Sequence, residues 1–526
     1  MMENQNDKPI KKDRTVLVIS AVIAAVFVIA SILAPTGMNT IINGLFSSIT
    51  TNFGWFYLVS VALFIVAVVV FTIGPWGKIK LGKDDDKPEF TNFQWFAMLF
   101  GGGMGIGLVF WSVSEPMMDY LSPPVADAGT AAAMAEAMRL TFFHWGFSPW
   151  AIFAIGGLGL AYFQFRKGER FLISSAFKPI LGDRIYGPIG KAIDILAVFA
   201  TIFGVATSLG LGANQIATGL NFIFGIKSSS FMIAVIIAII TVIFTLATVS
   251  GLKKGMQLVA NAKIWLSIGF MVFIFIFGGC VAILNGFTTT FGSYIQNFIG
   301  QTFWMGNIKW LDSWTIFYWA WWIAWAPFVG QFVARVSKGR TVREYLLAVT
   351  LLPSGFSLIW IAIYGGAAFN IDAVTNGAIQ AAVNQDYTTG LFALLQQLPL
   401  YSITSILSIV LIIACFIGAA NSATYVLAML TSGGDMDPSK KSRAGWGIAQ
   451  GAVTIALILA SGTSALKALQ TASIAAAFPY TFVMLFMCYS IFKALKEDYN
   501  EGKLKLPQLE IKTETEPIEK EIISEK

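Results

Sequence analysis

The chain has 526 residues, of which 56% are hydrophobic and only 12% charged, with a mean hydropathy of +0.71. A soluble domain carries about 25% charged residues, so composition excludes a soluble enzyme or binding module and predicts an all-α polytopic membrane protein. The formal net charge of +6 belongs to the loops and implies no nucleic-acid partner.

Residues 1–14 form a polar tail with Lys8, Lys11, Lys12 and Arg14. Apolar stretches of about 20 residues, long enough to cross a bilayer, then recur at 15–34, 53–75, 94–113, 143–164, 192–222, 231–250, 261–285, 311–336, 345–369, 402–431, 444–462 and 472–493. The first is too long for a signal-peptide core and lacks a convincing cleavage site, so it reads as a retained helix. Alternate loops are basic: Lys78, Lys80, Lys83 and Lys87; Arg166, Lys167, Arg170, Lys178 and Arg184; Lys253 and Lys254; Lys338, Arg340 and Arg343; Lys440, Lys441 and Arg443. The loops between them are nearly bare, and Ile371 to Leu400 holds no Lys or Arg. The positive-inside bias therefore places both termini in the cytoplasm of a plasma-membrane protein. After Glu497 the tail is polar and slightly acidic, the composition of a disordered segment.

Two spans differ from the rest. The third opens FGGGMGIGLVFW, with Gly101, Gly102, Gly103, Gly105 and Gly107 inside about two turns. Each glycine costs a helix interior about 1 kcal/mol against Ala. Such density favours a broken helix over small-residue packing, the plainer source of closely spaced glycines. The eighth reads WTIFYWAWWIAW from Trp314, and Tyr318, Trp321, Trp322 and Trp325 fall at i, i+3, i+4 and i+7 on one face. An aromatic belt at the headgroups is one reading of these rings. A cage for a quaternary ammonium, worth about 0.5–2 kcal/mol per ring, is the other. The face runs several turns inward, which favours the cage. Pro327 and Gly330 follow it and predict a second interruption, in the position matching the first five helices earlier. Broken helices in corresponding places mark a midplane site, and the free amides of such a break suit a carboxylate. Rings and break together describe a zwitterion with a methylated nitrogen.

Other residues carry less. His144 is the only histidine and is expected to cap or pack at a helix start. Glu115 and Asp119 are expected to face the outer loop, and Asp194 to pair with a cation. Cys280, Cys415 and Cys488 lie in apolar spans without metal-ligand spacing. No nucleotide loop, catalytic triad or metal cluster is present, so no cofactor and no enzymatic activity is expected. A channel would need a polar pore lining.

Four segments resemble the betaine/carnitine/choline transporter family: GMGIGLVFWSVSEP at 103–116, FHWGFSPW at 143–150, ATIFGVATSLGLG at 200–212 and the long aromatic segment at 314–345. The resemblance implies two LeuT-like five-helix inverted repeats, at 92–285 and 311–496. Two peripheral helices would occupy 15–91, an extracellular connection 286–310 and a cytoplasmic tail 497–526. It also implies a homotrimer working by alternating access on a small trimethylammonium zwitterion. Carried over by residue, the substrate site comprises Trp145, Trp150, Trp321, Trp322 and Trp325, with Gly103, Met104 and Gly105 at the break. Phe153 stands where the family has a tyrosine.

The coupling positions depart from the sodium-driven members. Gly418 and Ala419 replace a Thr-Ser pair; Thr201 matches one sodium-ligating threonine, and Val205 replaces the other. Gly107 stands where proton-coupled choline transporters have Asp. The carnitine/γ-butyrobetaine exchangers are similar at NSATYVLAMLT (421–431) and place an arginine where this chain has Lys263. The expected function is thus sodium-independent antiport of L-carnitine/γ-butyrobetaine or a related betaine, with Lys263 as built-in cation. The alternatives are a sodium-coupled glycine betaine symporter and, for Lys263, snorkelling to the surface. Pro116, Met117, Met118 and Asp119 replace the tyrosines of the carnitine exchangers, which points toward another betaine.

Overall fold

A computed structural model describes residues 13–103, 105–250, 253–461 and 465–505. The described chain is nearly all helix: α1 Thr15–Leu33, α2 Pro35–Ile73, α3 Asn92–Gly103, α4 Ile106–Leu121, α5 Ala131–Trp145, α6 Phe147–Ala161, α7 Lys178–Leu181, α8 Pro188–Phe224, α9 Ser230–Ser250 and α10 Lys253–Phe277. There follow α11 Cys280–Thr302, α12 Ile308–Ser313, α13 Thr315–Val336, α14 Val342–Val374, α15 Ala378–Gln385, α16 Gly390–Gln396, α17 Tyr401–Leu430, α18 Lys440–Ser461 and α19 Ala465–Lys505.

Local chemistry sets several boundaries. Thr341 and Glu344 form a reciprocal capping box that starts α14, and the Thr130 hydroxyl accepts from the Ala133 amide to start α5. Between α10 and α11 the chain turns at Gly279, whose φ of 98° is a conformation a side chain disfavours. The segment from Cys280 to Thr302, expected as the end of one span and the start of the connecting segment, is one helix.

Among the described residues ten helices are long and apolar enough to cross a membrane. The expected spans 94–113 and 311–336 are the two without a counterpart in that set. The third is divided: α3 ends at Gly103, Gly105 is extended (φ −115°, ψ 169°) and α4 begins at Ile106. The eighth, α13, is one unbroken helix rich in indoles, which rank low on hydropathy scales. It lies at the centre of the molecule, and every residue from Thr315 to Gln331 is buried. A helix apolar all round belongs in a core, and this burial rules out a headgroup belt.

The interruption expected at Pro327 and Gly330 is absent. Proline is tolerated inside membrane helices when neighbours satisfy the freed backbone. Gly330 serves packing instead: a Cβ there would stand 3.0 Å from the Gly156 carbonyl carbon and the Gly157 nitrogen on α6.

The basic loops gather at one end. Arg166 bridges Asp84 (2.9 Å) and Asp498 (2.6 Å), Lys493 donates to the Pro179 carbonyl (2.7 Å), and Lys191 pairs with Asp13 (2.5 Å). Helix α19 runs on to Lys505, past the expected start of the tail at 497.

Candidate functional site: a tryptophan box

The break after α3 leaves the first-turn amides of α4 without intrahelical partners, and Gly105 supplies no side-chain cap. The start of α4 opens on a cavity of about 40 Å³ lined by Gly105, Gly107, Trp145, Trp150, Phe153, Trp321, Trp322, Trp325 and Ser357, among others. Six expected ring residues and one expected glycine thus meet at one site. Gly103 ends α3, and Met104 lies outside the described residues.

The rings are locked to one another. Trp321 and Trp322 stack at 4.7 Å and 13°, and Trp145 meets Trp322 edge-on at 4.9 Å and 74°. Phe153 contacts Trp322 at 6.0 Å and Trp150 at 5.3 Å, both edge-on. Edge-on and stacked contacts of this kind add about 0.5–1.5 kcal/mol each beyond burial.

Four of the five indole N–H groups are spent on the protein. Trp321 and Trp325 both donate to the Gly204 carbonyl, at 3.2 and 2.9 Å. Trp322 donates to the His144 carbonyl at 3.0 Å, and Trp145 to Glu115 Oε2 at 2.8 Å. These bonds fix the rings and leave their π-faces, not their donors, for a ligand. Glycine makes the approach possible: a Cβ on Gly204 would stand 2.9 Å from the Trp325 ring, and one on Gly107 would stand 2.7 Å from Trp321 and 2.9 Å from Trp145. An aspartate at 107 would collide with the same rings.

Glu115 corrects the sequence reading. It does not face an outer loop but lies fully buried in α4, as does Asp119. Its Oε1 is 2.6 Å from His144 Nδ1, and Oε2 accepts from Trp145 and from the Tyr318 hydroxyl. His144 ends α5 rather than starting a helix, and its Nε2 is 3.0 Å from Thr315 Oγ1. One carboxylate therefore ties α4, α5 and α13 together behind the box. Asp194 likewise has no cation partner among the described residues; it accepts from the Ser174 amide (2.9 Å) and hydroxyl (2.8 Å). Ser357, one of three Ser or Thr residues in the expected span 345–369, carried no signal in the sequence.

Lys263 does not line the cavity. Its Nζ donates to the Gly101 carbonyl at 3.1 Å, so the ammonium sits near the C-terminal, negative end of the half-helix α3. Thr201 donates back to the Ala197 carbonyl (2.8 Å), and Val205 is fully buried.

The sequence pattern of the betaine/carnitine/choline family transporters matches residues 15–500. The chain belongs to the betaine/carnitine/choline transporter family. It is 68% identical over 489 residues to the probable glycine betaine transporter of Desulfitobacterium hafniense (strain Y51), covering 93% of this chain and 99% of that one. It is 46% identical over 487 residues to the glycine betaine transporter OpuD of Bacillus subtilis (strain 168), covering 91% and 94%. The ectoine/hydroxyectoine transporter of Virgibacillus pantothenticus is 41% identical over 488 residues, covering 92% and 96%. As a family member the chain is a multi-pass membrane transporter of betaine-type substrates, not an enzyme.

Proposed function

We propose that this transporter carries a small trimethylammonium zwitterion, glycine betaine before carnitine, by sodium-independent exchange. The observation that carries the substrate class is the box whose indole donors are turned to protein acceptors. A quaternary ammonium offers no hydrogen bond, so a wall of π-faces suits it, while ammonium or guanidinium ligands would miss their acceptors. The carboxylate is received at the positive end of α4, whose Gly107 and Leu108 line the cavity. The Trp150 N–H, which binds no protein acceptor among the described residues, is a further donor for it. Close relatives are named for glycine betaine, which favours it over carnitine.

Coupling follows from Lys263. With Gly418, Ala419 and Val205 offering no side-chain oxygen, sodium would gain too little coordination to repay its dehydration. A tethered ammonium on the Gly101 carbonyl needs no recruitment, so transport becomes betaine in against its demethylated or reduced product out. Around this site we read inverted repeats at 92–285 and 311–496 that rock in alternating access. The chain assembles as a homotrimer in the plasma membrane, with both termini on the basic, cytoplasmic side. Tryptophan fluorescence of the purified protein tests the substrate class. It responds to glycine betaine, more weakly to dimethylglycine and not to glycine; an equal response to glycine would overturn the reading.

A further inference from the structure

Between α1 and α18, at the basic end of the molecule, lies a cleft of about 800 Å³, remote from the tryptophan box in its lining. Its inner walls are apolar, with Ala25 and Ile29 from α1 and Ala449 and Ala452 from α18. Its mouth is cationic, with Arg14 at the start of α1, Arg170 from the loop after α6 and Lys441 at the start of α18. Two acids stand beside them, Asp13 and Asp435. Asp13 is already neutralised by Lys191 at 2.5 Å. None of the three cations has a carboxylate within ion-pair distance among the described residues. The mouth therefore keeps an excess of positive charge.

The cleft is also open to the side. Of the residues that line it, Ile29 of α1 is 55% and Ile448 of α18 61% exposed. A soluble peptide has no access to an apolar slot that opens into the bilayer core, whereas a lipid tail enters it without losing any apolar contact. An anionic headgroup gains at the mouth from each basic side chain. The chemistry on the two levels of the cleft is thus that of one amphiphile.

We propose that this cleft binds one anionic phospholipid, an acyl chain in the slot and the phosphate among Arg14, Arg170 and Lys441. Its floor includes Thr431 at the end of α17 and Trp446 of α18, whose N–H donates to the Thr431 hydroxyl at 2.8 Å. The headgroup accordingly braces the junction of α17 and α18.

Native mass spectrometry of the purified full chain in detergent tests this with three probes: phosphatidylglycerol, phosphatidylcholine and glycerol 1-phosphate. One phosphatidylglycerol is expected to survive detergent exchange, and neither other probe is. The double variant Arg14→Gln/Lys441→Gln and the slot-filling variant Ala449→Phe each lower its retention at least tenfold. Both still respond to glycine betaine in fluorescence, which shows that they are folded. Equal retention of phosphatidylcholine, retention of glycerol 1-phosphate, or wild-type retention by the variants would each overturn the proposal. So would binding that appears only after residues 1–12 are removed, since the slot would then be the seat of the chain's own tail.

Discussion

At the scale of single residues, Trp322 is the keystone of the box: it touches Trp321, Trp145, Trp325 and Phe153 at 4.7 to 6.4 Å. Trp322→Ala is expected to weaken glycine betaine binding by about 1–3 kcal/mol through lost cation–π and packing contacts. Trp322→Phe costs less because a π-face remains. Equal losses in a binding titration would mean that the residue is scaffold only. Glu115 acts on the box at one remove, by holding Trp145. Glu115→Ala strands the donors of Trp145 and Tyr318 at about 1–3 kcal/mol each, so thermal unfolding shifts down and betaine binding weakens. Glu115→Gln retains a carbonyl acceptor and costs less in both measurements; an unchanged unfolding temperature in Glu115→Ala would contradict this role. The rings of α13 were legible in the sequence because their helical spacing is a local property, and Trp145, Trp150 and Phe153 through the family resemblance. Their acceptors were not, because Glu115, the His144 carbonyl and the Gly204 carbonyl lie on three other helices. Glu115 was misplaced for a definite reason: a span ending at 113 leaves it outside, whereas the helix that restarts at Ile106 carries it inside.

At the scale of elements, the break before α4 and the glycines after it set the shape of the site. Gly107→Ala drives a methyl to within 2.7 Å of Trp321 and 2.9 Å of Trp145, whereas Gly105→Ala meets nothing nearer than Trp325 at 4.0 Å. Betaine affinity is therefore expected to fall at least tenfold in Gly107→Ala and to change little in Gly105→Ala. The reverse order in a titration of the two variants would show that the backbone at 105, not the space at 107, is the sensitive feature. Glycine density announced the broken helix, since no packing requirement accounts for so many in so short a run. Pro327 and Gly330 misled, because the same residues that break an isolated helix also let α13 pack tightly on α6, and only the partner helix decides between these uses.

At the scale of the whole molecule, ten helices among the described residues are long and apolar enough to cross a membrane, and the divided third span and α13, which carry much of the site, are not among them. One is interrupted by glycine and the other is built of indoles, so function itself erodes the apolar signal. Ion pairs draw the basic loops to one end, in keeping with the loop charges read from the sequence. Coupling was the least legible property, because a surrogate cation and a snorkelling lysine have the same local sequence. Lys263 donates to the Gly101 carbonyl, a contact that a surrogate cation and a cap on α3 would share. With Lys263 as surrogate, Lys263→Ala is expected to lose exchange in sodium-free buffer; unchanged exchange would mean that the ammonium merely caps α3. Counterflow in proteoliposomes tests the central claim most directly. Liposomes loaded with unlabelled glycine betaine should take up labelled glycine betaine at the same rate in sodium and in potassium buffer, and empty liposomes should take up none. Uptake that requires external sodium, or that fills empty liposomes, would contradict the exchange mechanism and make the protein a sodium-coupled symporter.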